Sequence, residues 1–83
     1  MRQLDLFPVA AHLTRIDPET NMERYYSLTV LPDLFGGCAL VRSWGRIGRS
    51  STTRIELYPD EGAAIDALEG WYRRKLGRGY IPG

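Results

Sequence analysis

The stretch Arg42-Ser43-Trp44-Gly45-Arg46-Ile47-Gly48-Arg49-Ser50-Ser51 sets three arginines and an indole around a glycine-punctuated turn, and no acidic residue occurs from Arg42 to Ile55. Guanidinium groups donate hydrogen bonds from a planar fork, and an indole offers a flat, electron-rich face. Together they suit a phosphate backbone and the sugar or base it carries. If the residues before the turn form a strand, Arg42 and Trp44 share one side, joined by Arg46 if the strand runs that far. A hairpin symmetric about the turn sets Arg42 near Arg54, where the two cations repel. An anionic partner would relieve that repulsion. A second acid-free basic block follows at Arg73, Arg74, Lys75 and Arg78. It reads either as a solvated helix end or as a phosphate-binding flank.

Other chemistries find little support. His12 is the single histidine and has no neighbouring nucleophile or carboxylate cluster; Cys38 is the single cysteine, so neither a disulfide nor a multi-cysteine metal site can form within the chain. Gly45 and Gly48 lack the Gly-Lys-Ser/Thr ending of a phosphate loop. No carboxylate pair stands out for acid–base work. The expectation is a protein that is not an enzyme, with no catalytic residues, no metal and no cofactor.

Eighty-three residues make one small domain of ordinary globular composition. No apolar run approaches the ~18 residues of a membrane span, and Met1 to Ala11 lack the apolar core of a secretory signal. Cytoplasmic residence is the default expectation. The formal net charge is only +1, which argues against strong indiscriminate binding to nucleic acid, so distribution matters more. Residues 1–35 hold three basic and five acidic residues, and residues 36–83 hold eight basic and five acidic.

These side chains need a scaffold. Residues 1–10 read as a tail and 11–83 as the domain. His12 to Ile16 reads as a strand, followed by turn chemistry at Asp17-Pro18-Glu19-Thr20-Asn21. In Tyr25 to Leu31, Tyr26, Leu28 and Val30 alternate toward a core. Pro32-Asp33 and Gly36-Gly37 bracket a loop. Cys38 to Trp44 alternates again, with Leu40, Arg42 and Trp44 on one side. In Thr52 to Tyr58, Thr53, Ile55 and Leu57 are expected inward and Thr52, Arg54 and Glu56 outward. Asp60 then caps a helix whose stripe is Ala64, Ile65, Leu68, Tyr72 and Leu76, with Trp71 on its shoulder and Gly77 as its stop. The fold class is α+β: a twisted antiparallel sheet of about four to five strands with one C-terminal helix on one face.

The order Tyr25-Tyr26, Trp44-Gly45-Arg46-Ile47-Gly48, Tyr58, Ala64, Leu68, Lys75, Gly79-Tyr80 resembles the WGR domain over roughly residues 11–80, as a stand-alone bacterial member. The resemblance implies the same sheet-and-helix architecture. In DNA-dependent poly(ADP-ribose) polymerases the domain contacts DNA near strand ends or breaks. The analogy places Trp44 on the sugar-backbone of a terminal nucleotide and Arg46 either on a phosphate or against another protein domain. The family usually carries Gly-Gln a few residues after its triplet, where this chain has Ser51-Thr52. Nothing in these 83 residues resembles the polymerase catalytic domain, and no ADP-ribose transfer is expected of them. Trp44 as a plain core residue is the rival reading, and for Trp71 packing is the leading one.

Near the N-terminus, Gln3-Leu4-Asp5-Leu6-Phe7 resembles the pentapeptide by which bacterial replication and repair proteins dock on the DNA sliding clamp. Gln3 would be its polar anchor, and Leu6 and Phe7 would enter an apolar cleft. Leu6 and Phe7 folding back as a short edge strand is the competing reading. The resulting expectation is a non-enzymatic nucleic-acid-binding module, for DNA above RNA, recruited to the clamp. Its contact residues are Arg42, Trp44, Gly45, Arg46, Arg49, Arg54, Arg73, Arg74 and Lys75. The alternative is a protein-interaction adaptor that binds no nucleic acid.

Overall fold

The computed structural model describes residues 9–83. The peptide at Gln3 to Phe7 lies outside the described residues. Three hairpins run in succession through strands β1 (Val9–Asp17), β2 (Met22–Pro32), β3 (Cys38–Arg46) and β4 (Ser51–Tyr58). Helix α1 (Glu61–Gly77) follows, and a short strand β5 (Ile81–Pro82) closes the chain. All pairings are antiparallel and the sheet order is β4-β3-β2-β1-β5. The α+β architecture is the one expected, with the fifth strand supplied by the residues after the helix. Val9 and Ala10, read as tail, belong to β1.

Each turn has a local cause. Between β1 and β2 the Asp17 side chain accepts from the Glu19 N–H, and Asn21 takes the left-handed conformation at φ 55°, which asparagine tolerates. Between β2 and β3 the Asp33 carboxylate accepts from the N–H groups of both Phe35 and Gly37 at 2.7 and 2.9 Å. Gly37 must be glycine, because a Cβ there would collide with the Tyr58 carbonyl oxygen. Asp60 caps α1 as expected, its side chain accepting from Ala63 N–H at 2.8 Å. The helix exit differs from expectation. Gly77 is still helical, and Gly79, at φ 95°, is the left-handed residue. The N–H groups of Gly79 and Tyr80 return to the carbonyls of Leu76 and Lys75, a Schellman closure that Gly77 does not supply.

The core lies between the sheet and α1. Leu13, Tyr26, Leu28, Val30 and Leu40 from the sheet meet Ala64 and Leu68 from the helix, and Tyr80 seals one end. Tyr26, Leu28 and Val30 face inward as their alternation predicts. β4 reverses its expected faces. Register pairs Leu40 with Glu56 and Arg42 with Arg54, so Arg54 and Glu56 share the helix side with the β3 core residues. Ile55 and Leu57 therefore stand on the uncovered face, 62% and 68% exposed. Residues paired across strands share a face, and this constraint overrides the hydropathy of one strand. Leu76, expected in the helix stripe, is also exposed, while Ala67 and Trp71 pack on the core.

Replacing Asp60 with alanine removes the side-chain acceptor of the first helical turn and costs about 1 kcal/mol. Urea denaturation is expected to show a lower midpoint with an unchanged slope; an unaltered midpoint would contradict the capping role.

Candidate nucleic-acid interface

The site grows from the end of the sheet nearest the β3–β4 turn. Trp44 stands opposite Tyr26, and their rings stack 5.6 Å apart with 14° between planes. Tyr80 meets the same tyrosine edge-on at 6.3 Å. Around these rings Arg24, Tyr26, Trp44, Gly45, Arg46, Lys75 and Tyr80 line a cleft of about 430 Å³. Register explains the cations: Arg15 pairs with Arg24, and Arg24 pairs with Arg46. Three arginines thus cross β1, β2 and β3 side by side on the helix side of the sheet. Among the described residues no carboxylate lies within ion-pair range of any of them.

Arg46 is exposed and donates from Nη2 to the Asn21 carbonyl oxygen at 3.0 Å, which ties it to the β1–β2 turn; among the described residues its other N–H groups have no hydrogen-bond partner. Gly45 permits the hairpin to close. A Cβ there would stand 3.0 Å from the Ser50 oxygen and 3.2 Å from the Ser51 Cα. Gly48, at φ 82°, carries the turn itself.

Arg42 corrects an expectation. Anticipated at the surface beside Trp44, it is buried at 6% exposure. Its Nη1 donates to the Tyr26 hydroxyl at 3.0 Å and its Nη2 to Glu56 Oε2 at 3.4 Å. Nε lies 3.4 Å from Glu56 Oε1, close enough for charge attraction but outside hydrogen-bond alignment. The guanidinium also sits 4.0 Å from the Trp71 ring centre and 5.4 Å from that of Trp44. Burial opposes its charge, yet the Tyr26 hydrogen bond and the Glu56 carboxylate outweigh that and raise its pKa above the ordinary value. Arg42 lies opposite Arg54 as symmetry suggested, and Arg42 itself is answered by Glu56 within the chain.

Lys75 is half-buried, its ammonium 4.5 Å from the Tyr26 ring centre and 5.6 Å from that of Tyr80. Burial, then the positive charges of Arg78, Arg42 and Arg74, lowers its pKa from the usual lysine value.

Of the expected contact residues, the fold therefore brings Trp44, Gly45, Arg46 and Lys75 together at the cleft. Arg42 lies beneath it. Arg74 sits 4.5 Å over the Trp71 ring, and Arg73 pairs with Glu69 on the helix surface. Arg49 is in the exposed turn and Arg54 on the exposed edge strand. Arg24 and Arg15 went unread because they lie in the acidic part of the chain. The signal that finds Arg24 is its position two residues before Tyr26 and opposite Arg46.

Residues 9–83 match the family model described as the WGR domain. The chain belongs to the WGR domain family. WGR domains are generally nucleic-acid-binding modules and not catalysts. An uncharacterized protein of Sinorhizobium fredii, y4dW, is 37% identical over 75 residues, covering 90% of this chain and 37% of that protein. The chain thus spans little more than a third of that relative's length. Among the described residues of this WGR domain no helix is long and apolar enough to cross a membrane.

Tyr26→Phe removes the hydroxyl that accepts from buried Arg42 and leaves that donor unpaired. A loss of ~1–3 kcal/mol in unfolding free energy is expected, read by urea denaturation. A variant as stable as the parent would show that this hydrogen bond does not hold the arginine.

Proposed function

We propose that this WGR domain binds the sugar–phosphate backbone of DNA, at strand ends or breaks, through the cleft around Trp44. The observation that carries the reading is the gathering of Arg24, Arg46 and Lys75 around one half-buried indole, with no carboxylate in ion-pair range of the two arginines among the described residues. In this reading the Trp44 ring packs on a sugar while the cations meet the flanking phosphates. A cleft of about 430 Å³ falls within the ~300–1,000 Å³ range of small-ligand sites. It suits one nucleotide unit at an end better than an intact duplex. Contacts of this kind fix position and carry no base readout.

The test is a binding panel of blunt, nicked and single-stranded DNA and single-stranded RNA at several salt concentrations. Arg24→Ala and Arg46→Ala are each expected to weaken binding and to reduce the log–log salt slope by about 1. Trp44→Ala should weaken end binding with little change in slope. Failure of the parent chain to bind any of these at low salt would favour the adaptor reading. Clamp recruitment through Gln3, Leu4, Asp5, Leu6 and Phe7 rests on sequence alone. Titrating purified sliding clamp with the parent chain and with Leu6→Ala/Phe7→Ala tests it, and equal affinities would remove it.

Lys75 adds a pH dependence. Its pKa is lowered in the free domain, and a bound phosphate favours the charged form and raises it. Binding therefore takes up a proton between those two values. Affinity is expected to fall as pH rises through the free-domain pKa, below the ordinary lysine range, and to level off above the bound one. Lys75→Arg, which stays charged, should flatten that profile; a profile unchanged by the substitution would place Lys75 outside the contact.

A further inference from the structure

The far edge of the sheet has properties that the cleft does not use. β4 is the terminal strand, so alternate residues along it turn their N–H and C=O groups outward, with no strand of the described residues beyond them. Edge strands are ordinarily blunted by charged side chains, lysine above all, by proline, a bulge or a covering element, because free backbone groups template further pairing. β4 contains no lysine or proline, its two charged residues, Arg54 and Glu56, are of opposite sign, and it pairs with β3 in unbroken register from Ser51 to Tyr58. Helix α1 lies mainly over β2 and β3 and covers β4 thinly. The uncovered face at this end is apolar. Leu31, Ala39 and Leu57 form one cross-strand row, and Val41 and Ile55 form the next. No lysine or arginine stands on the uncovered face of β1 to β4, so a polyanion finds no charge to bind there.

The order Thr53-Arg54-Ile55-Glu56-Leu57 selects the occupant. Run against itself antiparallel about Ile55, it places opposite charges face to face. We propose that two copies of the chain pair β4 with β4 about a two-fold axis at Ile55, joining two five-stranded sheets into one. On the helix side, Arg54 of each copy faces Glu56 of the second copy. On the uncovered side Ile55 meets Ile55 of the second copy, and Thr53 lies opposite Leu57 of the second copy. Within one copy Arg54 has no carboxylate in ion-pair range among the described residues. Glu56 is 35% exposed while it pairs with Arg42, which leaves it open to a second cation. The incoming carboxylate offsets the repulsion between Arg54 and its cross-strand neighbour Arg42. Opposite charges and apolar pairs directly across a strand pair both stabilise it. A two-fold normal to the sheet keeps faces together, so both helices and both clefts lie on one side and the apolar rows run on from copy to copy. A neutral or singly charged strand from another protein would match the apolar face but not both charges.

Sedimentation of the full chain, without nucleic acid, tests the pairing. The mass should rise with concentration from 9.4 kDa toward twice that value. A chain that stays monomeric into the millimolar range overturns the proposal. Ile55→Lys sets two like charges against each other on the axis, and Arg54→Glu sets carboxylate against carboxylate. Both alter exposed side chains, and both are expected to give folded monomers by circular dichroism and sedimentation. A parent-like dimer in either would overturn the register. Position is tested directly by disulfide formation in a Cys38→Ser background. Residues directly opposed in an antiparallel pair lie ~4.5–5.5 Å apart at Cα, within disulfide reach. Ile55→Cys should cross-link under mild oxidation. Thr53→Cys alone should not, because its counterpart lies several rungs away, whereas Thr53→Cys/Leu57→Cys should. Cross-linking by Thr53→Cys alone, or none by Ile55→Cys, is incompatible with an axis at Ile55.

Discussion

A guanidinium buried between sheet and helix organises much of this domain. Placing a cation in a small core costs several kcal/mol unless its donors and its charge are answered. Arg42 is answered on three sides, by the Tyr26 hydroxyl, the Glu56 carboxylate and the Trp71 ring. Each answer fixes something else. The bond to Tyr26 orients the ring on which Trp44 stacks. The contact with Trp71 helps to set the helix against the sheet. The pairing with Glu56 suits a β4 whose Arg54 and Glu56 face the helix, and that register sends Ile55 and Leu57 to the outer face. The cleft and the exposed apolar edge are thus joined through one side chain that belongs to neither surface.

The charge at the cleft is assembled against local tendencies. A helix presents its negative end at its C-terminus, and α1 ends here, so the backbone offers no anion site. Positive potential comes from side chains instead: Lys75 on the last helical turn and the cross-strand row of Arg15, Arg24 and Arg46. The charge on Lys75 is disfavoured in the free protein, by burial first and then by Arg78, Arg42 and Arg74, which together lower its pKa. A phosphate placed among these groups relieves the crowding and gains their hydrogen bonds together. The same crowding explains how a chain with a net charge of +1 can present a strongly basic site.

The two sides of the sheet divide the chemistry. The helix side gathers the arginines and most of the aromatic rings, while the uncovered side toward β4 carries threonine, serine and aliphatic residues. Cross-strand register assembles the first. The second follows in part from how β4 is oriented, and a face without lysine or arginine suits a protein surface better than a nucleic acid.

Much of the fold was legible in the residues alone. Alternation of Tyr26, Leu28 and Val30, the turn chemistry at Asp17 to Asn21 and the cap at Asp60 are local signals, and local signals survive without tertiary context. The triplet Trp44-Gly45-Arg46 pointed to the family and to part of the cleft. Cross-strand register decided the rest, since it brings residues distant in the chain onto one face. Arg24 joined Arg46, Arg42 went inward, and the apolar residues of β4 went outward. Hydropathy of a single strand cannot foresee such outcomes, because the face a strand turns to the core is set by its neighbours' pairing and by which buried charge must be met.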